Sequence, residues 1–437
     1  MKTPKKPRNI REIIGKNQDK IFQLLDKPEL VEIIMKYNRE YAHWDQFRYK
    51  KIPKNTNHEY LWALMKIFRR ERNKIIKFGG WRFSYALLDD SLKKLHLLDK
   101  GAAGHIKTGL ESINTDGREQ FIISSLMEEA IASSQLEGAA TTRKIAKDLL
   151  RLRKKPMNYS EQMVVNGYKT MQETTKMKEK KITPEIILEL HESITRGTLK
   201  DKKDEIDFRD NNDVVVADPL DADKIYHIPP DHKKISALIQ EFCEFANNDD
   251  NEFIHPIIKG IILHFLIGYI HPFNDGNGRT ARTIFYWYVL RNGYWLFEYM
   301  AISRIILRSK TKYGLSYLYT ETDENDLTYF INYNLSAIEE ALDEMEKHMT
   351  KKQKEQSEAM KLLRGIKNIN LRQAEILKEF IKNPEKTFVI SEVKNTYGIA
   401  YDTARNDLSH LAYIGYVEKI KIKKKFVFKY IKKELKD

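Results

Sequence analysis

The sequence predicts a mainly α-helical protein of two or three domains, with a β-hairpin inside a helical core and a small mixed unit at its C-terminal end. Three observations lead there. Apolar residues recur at helical spacing along most of the chain. Residues 210–230 break that pattern with Val214, Val215 and Val216, a turn rich in Pro and Asp, and then Ile225, Tyr226 and His227, which together read as a hairpin. The chain has 437 residues, more than one ordinary core accommodates.

In order, Lys20 to Leu25, Pro28 to Ala42 and Tyr60 to Lys77 read as amphipathic helices. The last carries the stripe Leu61, Leu64, Ile67 and Phe68, a core-facing pattern. Gly101 to Gly104 reads as a loop, and a long helix follows from about Arg118 to Gly138, with Gly138 as its C-terminal cap. Helices continue over Arg143 to Arg153, Ser160 to Lys176 and Thr183 to Gly197. They resume after the hairpin over Ser236 to Ala246, His255 to Tyr269 and Thr280 to Leu290. The charged stretch Glu344 to Lys361 reads as a linker or an exposed helix. Beyond it come three short helices, Leu371 to Lys382, Val389 to Tyr397 and Tyr401 to Ala412, then two alternating strands, Val417 to Ile422 and Phe426 to Ile431. The expected divisions are a helical region over 1–112, a core over 113–345, a linker over 346–370 and a terminal unit over 371–437.

Composition narrows the class. Hydrophobic residues make up 41% and charged residues 32%, a globular balance that argues against a disordered chain. The formal charge of +14 suits a nucleotide, nucleic-acid or acidic-protein partner, although a Lys-rich proteome produces the same balance. A single cysteine, Cys243, in an apolar helical run, excludes an intramolecular disulfide. Met1 to Arg8 is basic but leads into no apolar stretch, so it does not read as a secretory signal. The longest apolar run, Ile257 to Ile270, is broken by Lys259 and His264 and falls short of the roughly 20 residues a bilayer span needs. A cytoplasmic protein without a membrane partner is therefore expected.

The segment richest in chemistry is His271-Pro-Phe-Asn-Asp-Gly-Asn-Gly-Arg-Thr-Ala-Arg282. It joins the end of one helix to the start of another, near Gly278. Gly276 and Gly278 permit a tight turn and close ligand approach. The N–H groups and positive end of the second helix offer an anion site. Arg279 and Arg282 project from one face of that helix and can join those N–H groups on a polyphosphate. Asp275 is a hard oxygen ligand suited to Mg²⁺ between phosphates. His271 is a base effective near neutral pH. Asn277 can donate to a phosphate oxygen from its side-chain amide. Each feature alone is commonplace in a turn; their coincidence within one short segment is not.

This segment resembles the Fic family signature H-x-F-x-(D/E)-G-N-G-R-x-x-R at every fixed position: His271, Phe273, Asp275, Gly276, Asn277, Gly278, Arg279 and Arg282. His255-Pro-Ile-Ile-Lys-Gly to Tyr269 also resembles that family's preceding helix. The resemblance implies a protein adenylyltransferase using ATP and Mg²⁺. His271 would deprotonate a target hydroxyl, Phe273 would anchor the loop, and Asp275 would hold Mg²⁺. Asn274, Gly276, Asn277, Gly278, Arg279 and Arg282 would bind ATP. Relatives that transfer UMP, phosphate or phosphocholine leave the nucleotide open.

The same resemblance implies further roles. Val214 to Ile228, flanked by Phe208-Arg209 and Pro229-Pro230, matches the family's flap, so Val214, Val215 and Val216 would pair with the backbone of a protein target bearing a Ser, Thr or Tyr hydroxyl. A hairpin that only covers core is the alternative. Ser133-Ser-Gln-Leu-Glu137-Gly138 resembles the inhibitory motif (S/T)-x-x-x-E-(G/N), with Ser133 and Glu137 on one helical face. Glu137 would then pair with Arg282 and deny it to the γ-phosphate. Tyr313 falls where relatives carry a tyrosine pair near the adenine, but Gly314 replaces the second, and a core aromatic is an equal reading. The terminal unit resembles a winged helix, with Thr403 to Leu408 opening a recognition helix and Lys419, Lys421, Lys423, Lys424 and Lys425 charging the wing. It would contact DNA or protein. Self-modification, a homodimer, AMP removal and a DNA-binding regulator using its Fic core as a sensor stay open beside the transferase reading. His191-Glu192 lacks a second His at helical spacing, so zinc chemistry is not suggested.

Overall fold

The computed structural model describes residues 2–15, 17–54, 56–101, 115–218, 220–248, 252–366, 368–422 and 425–431. Most of Gly101 to Gly104, and Lys423 and Lys424 of the expected wing, lie outside the described residues. The fold is mainly helical with small antiparallel sheets. The chain forms two compact units, one of Met1–Leu98, Met177–Asn292 and Ile305–Glu339, the other of Asp99–Lys176, Gly293–Arg304 and Glu340–Asp437.

The first unit is built around the helix Pro256–Ile270. It starts at His255, whose ring accepts from the Ile257 N–H, with Pro256 in the first turn, where its missing N–H costs nothing. Ile257, Ile258, Ile261, Ile262, Leu263, Phe265, Leu266, Ile267 and Ile270 are all fully buried. A helix apolar on every side must be enclosed by protein, and each such side chain contributes roughly 1.5–3 kcal/mol through burial. The helices Asn277–Arg291 and Ile235–Asn247 pack against it. Pro184–Thr195 packs in turn on both of these.

Near the start of the chain, Leu30, Ile34, Phe47, Leu61, Trp62, Leu64 and Met65 form a separate cluster. Here the expected helix from Tyr60 to Lys77 is corrected. The helix His58–Arg72 ends early, and Lys74–Phe78 pairs with Trp81–Tyr85 as an antiparallel hairpin. The connecting Gly79 and Gly80 both have positive φ, 59° and 80°, as a tight two-residue hairpin turn requires. Ile75 and Ile76 belong to this strand rather than to the expected helix. Behind it, Lys66 lies 2.9 Å from Asp323, Tyr41 donates to Asp326 at 2.7 Å, and Arg69 donates to the Tyr329 hydroxyl at 3.0 Å. All of these groups are buried, so the charges compensate one another away from water.

In the second unit the helix Thr115–Leu136 packs on Arg143–Arg151 through Met127, Ile131, Ala146 and Leu150. Arg143 and Lys147 donate to Glu128 at 2.7–3.0 Å. The terminal segment has its own core of Ile376, Leu377, Phe380, Val393, Leu408, Leu411, Val417 and Phe428. Its elements run Leu371–Lys382, strand Thr387–Val389, Ile390–Tyr397, Tyr401–Tyr413, then strands Val417–Ile422 and Lys425–Tyr430. The last strand lies between the other two, all antiparallel. The strand Thr387–Val389 was not foreseen: three residues show too little alternation to be read. It also takes Val389, expected to open a helix. Of the two readings of Glu344 to Lys361, the structure takes the helix, inside a single element Thr328–Gly365, so no linker of irregular chain covers 346–365. No helix among the described residues is long and apolar enough to cross a membrane.

Candidate functional site in the first unit

The buried helix Pro256–Ile270 ends at His271, whose backbone is left-handed at φ 50° and ψ 58°. Pro272 follows, and its missing N–H prevents continuation. A positive φ is uncommon outside glycine, and such backbone strain concentrates at functional sites. The His271 N–H still donates to the Ile267 carbonyl at 2.9 Å, and its carbonyl accepts from Arg209 Nε at 2.9 Å. Nδ1 lies 3.2 Å from the Gly268 carbonyl, which only an N–H can satisfy. The neutral ring therefore carries its lone pair on Nε2, the arrangement a general base needs.

The loop is pinned from below. Phe273 is completely buried and stacks on His191 with ring centres 3.6 Å apart and planes 3° from parallel. His191 Nε2 lies 2.8 Å from the Asp275 carbonyl and Nδ1 lies 3.1 Å from the Glu205 carbonyl. Burial lowers the pKa of His191 despite these carbonyls. A neutral ring donates to one carbonyl only, and the closer is that of Asp275. His191 was weighed in the sequence only as a zinc ligand; its support of the loop has no local signature.

Two residues of the loop also serve its own packing. The Asn277 side chain is buried and bridges both backbone groups of Phe273, accepting from its N–H at 3.0 Å and donating to its carbonyl at 2.7 Å. It thereby closes the loop on Phe273. Gly276 does have positive φ, 84°, but a Cβ there would lie 2.8 Å from Thr195 Cγ2 and 3.2 Å from His191 Nε2. Its missing side chain serves the packing beneath the loop. Gly276→Ala is therefore expected to cost about 1–3 kcal/mol, read as a lower urea midpoint, with an unchanged midpoint as the contrary result.

The helix Asn277–Arg291 begins at the expected place, with the first-turn N–H groups of Asn277, Gly278 and Arg279 at its positive end. Gly278 itself is helical. Arg279 is buried, donates to the Ile194 carbonyl at 3.2 Å and lies 3.5 Å from Asp275 Oδ2. Its Nε has no hydrogen-bond partner among the described residues. The Asp275 side chain is 45% exposed, with Oδ1 accepting from the Gly276 N–H at 2.5 Å. Asn274 donates to Asp204 at 2.8 Å. No group of three or more His, Cys, Asp or Glu side chains among the described residues could hold a metal by itself.

Arg282 is buried on the same helix. Burial, joined by the Arg282 charge, lowers the pKa of His264 to about 3. His264 Nε2 lies 2.8 Å from the Tyr313 hydroxyl, which in turn lies 3.5 Å from that of Tyr317. Tyr313 thus belongs to a partly buried polar network. Unfolded His264 takes up a proton near pH 6.5, whereas the folded residue stays neutral down to about 3. Stability should therefore fall as pH drops through that window, by roughly 1.4 kcal/mol per pKa unit of difference. Urea midpoints from pH 7 to pH 4 should decline, and His264→Gln should flatten the decline; an equal slope in both proteins is the contrary result.

The hairpin beside the loop pairs Val216–Asp218 with Asp221–His227. Val214 and Val215 precede the strand and are not paired in it, which corrects the expected edge to Val216. The hairpin's end is anchored: His227 Nδ1 lies 2.7 Å from the Glu321 carboxylate and Nε2 lies 2.8 Å from the Tyr269 carbonyl. Burial alone would lower its pKa, but the Glu321 hydrogen bond and charge raise it. Ser133 and Glu137 belong to the second unit. Ser133 lies in the last turn of Thr115–Leu136, and Glu137 lies just beyond it, its N–H donating to the Ser134 carbonyl at 3.1 Å. Gly138 follows at φ 94° and ends the helix as expected.

Residues 181–289 match the Fic/DOC family. The chain is 28% identical over 117 residues to a protein adenylyltransferase Fic of Drosophila mojavensis, a stretch covering 27% of this chain and 22% of that one. The Drosophila melanogaster protein of the same name is 27% identical over 117 residues, again 27% and 22% of the two chains. The chain thus matches less than a quarter of the length of these relatives. Two solved structures share the fold. A Fic family protein from Desulfovibrio desulfuricans G20 has a TM-score of 0.51 at 16% identity, over 78% of this chain and 95% of that one. Fic-1 (residues 134–508) from C. elegans has a TM-score of 0.50 at 17% identity, over 79% and 90%.

Proposed function

We propose that the chain transfers AMP from ATP to a Ser, Thr or Tyr hydroxyl of a protein, itself included, and that Glu137 restrains it. The observation that carries this reading is the complete His271-to-Arg282 motif, folded so that His271, with Nδ1 at the Gly268 carbonyl, ends one helix just before the N-terminus of the next. In the step, the target hydroxyl oxygen bonds to the α-phosphorus, the bond from phosphorus to the β-bridging oxygen breaks, and pyrophosphate leaves. His271 Nε2 takes the hydroxyl proton. The first-turn N–H groups, Arg279 and Arg282 hold the phosphates, and the buried unpartnered Nε of Arg279 is a donor that such an anion satisfies. One exposed carboxylate, Asp275, fits Mg²⁺, which keeps several waters and takes its other ligands from phosphates. When bound, that ion would neutralise charge on the phosphates.

The flap from Val216 would capture the target's backbone along its edge. Glu137 would compete with the γ-phosphate for Arg282, both being bidentate partners of a guanidinium. Incubation with ATP labelled at the α-phosphate, and separately at the γ-phosphate, tests the chemistry: only the α-label should become protein-bound. A bound γ-label is the contrary outcome, as expected of a kinase. AMP removal is the second activity of the same site; its sign is free AMP released from already modified protein.

The terminal segment 371–437 is read as a winged helix that contacts duplex DNA. Tyr401, Arg405 and Asn406 are exposed on the helix Tyr401–Tyr413, and Lys419, Lys421 and Lys425 are exposed on the strand pair. Fluorescence anisotropy of the full chain with a labelled duplex should show affinity falling by several powers of ten between roughly 50 and 200 mM salt if six or more phosphates are contacted. No binding at low salt removes this reading.

A further inference from the structure

Arg209 lies outside the Fic signature, immediately before the flap, and its bonding differs from that of an ordinary buried arginine. It is 4% exposed. Its N–H donates to the Pro272 carbonyl at 2.9 Å, and Nε donates to the His271 carbonyl at 2.9 Å. Nη1 donates to the Asn211 carbonyl at 2.6 Å and to Asn212 Oδ1 at 3.3 Å. Nη2 donates to the Pro230 carbonyl. One side chain therefore grips the backbone where the flap departs, the backbone where it returns, and the carbonyl of the residue carrying the base. Asn212 Oδ1 also accepts from the His232 N–H at 2.8 Å, which draws the two flap roots together.

We propose that Arg209 is a positioning residue that couples the flap to His271. It holds the left-handed backbone of His271 in place through that residue's carbonyl, and it holds both flap roots through the other end of the same rigid fork. A peptide that orders the flap thereby orders the base, so target capture and base alignment become one event. The planar guanidinium is essential because its donors diverge at fixed angles; the single Nζ of a lysine cannot span three carbonyls on opposite sides. This rests on the adenylyltransferase reading for its consequence in turnover. The mechanical coupling itself can be measured without any transfer reaction.

The test is hydrogen exchange on the full chain, wild type against Arg209→Lys and Arg209→Gln. Amides of residues 212–230 and of 271–276 should both exchange about tenfold faster or more in each variant, while the core helices Pro256–Ile270 and Asn277–Arg291 remain as slow as in wild type. Acceleration in only one of the two segments overturns the coupling. Equal acceleration of both core helices in both variants also overturns it, because Arg209 would then support the whole fold. In parallel, calorimetric titration with a non-hydrolysable ATP analogue and Mg²⁺ should give unchanged affinity in Arg209→Lys, while α-label transfer falls about 10–100-fold in turnover. A fall in nucleotide affinity matching the fall in transfer contradicts a role through His271. If exchange responds as expected and wild type transfers no label, the coupling stands and the adenylyltransferase reading fails.

Discussion

Replacing His271 with Ala is expected to reduce AMP transfer by about 10²–10⁴-fold, the range a positioned general base contributes. The expectation rests on geometry. The ring is held by the Gly268 carbonyl at Nδ1, and the backbone by Ile267 and Arg209, so the imidazole keeps one orientation. Ala removes the base and keeps the loop, because the loop's own anchors are elsewhere: Phe273 on His191 and Asn277 on Phe273. Nucleotide affinity in the variant should stay within a few-fold of wild type. A His271→Ala protein that retains most of its transfer rate would mean that another group takes the proton.

Glu137→Gly is expected to raise transfer by about 10–100-fold, corresponding to the roughly 1.5–3 kcal/mol of a hydrogen bond to a charged group. On the proposed reading, the carboxylate removed is the one that would compete with the γ-phosphate for a guanidinium. Glu137 lies one residue past the end of its helix, beside the left-handed Gly138, so Gly in its place removes the carboxylate without interrupting helical structure. The two substitutions combined should be as inactive as His271→Ala alone. A Glu137→Gly protein no faster than wild type removes the inhibitory role and leaves the transferase reading intact.

Much of this site was legible in the sequence because its parts are local. A helix apolar on all sides, a Pro after His271 and a glycine at Gly276 mark the helix end, the turn and the new helix within a few residues. What the sequence did not disclose is non-local. His191 meets Phe273 and the Asp275 carbonyl from a helix far upstream, and a buried histidine on an apolar face carries no sign of what it touches. Arg209 was visible only as a flank of the hairpin, because its acceptors are carbonyls, which every residue possesses. The link from Asn277 to Phe273 was hidden for the same reason, since its partners are backbone groups. In the fold, Ile75 and Ile76 continued the helical stripe of the preceding residues, and only the Gly79-Gly80 pair marked the hairpin.

The central claim is that this loop transfers a whole AMP group under the restraint of Glu137. Intact-mass analysis after incubation with ATP and Mg²⁺ tests it most directly, using wild type, Glu137→Gly, and Glu137→Gly combined with His271→Ala, each with the His271→Ala chain as acceptor. An added mass of one adenylyl group on the acceptor is expected, greatest with Glu137→Gly and absent with the double variant. An added mass of a lone phosphate, or an adenylyl group that appears equally with the double variant, would contradict it.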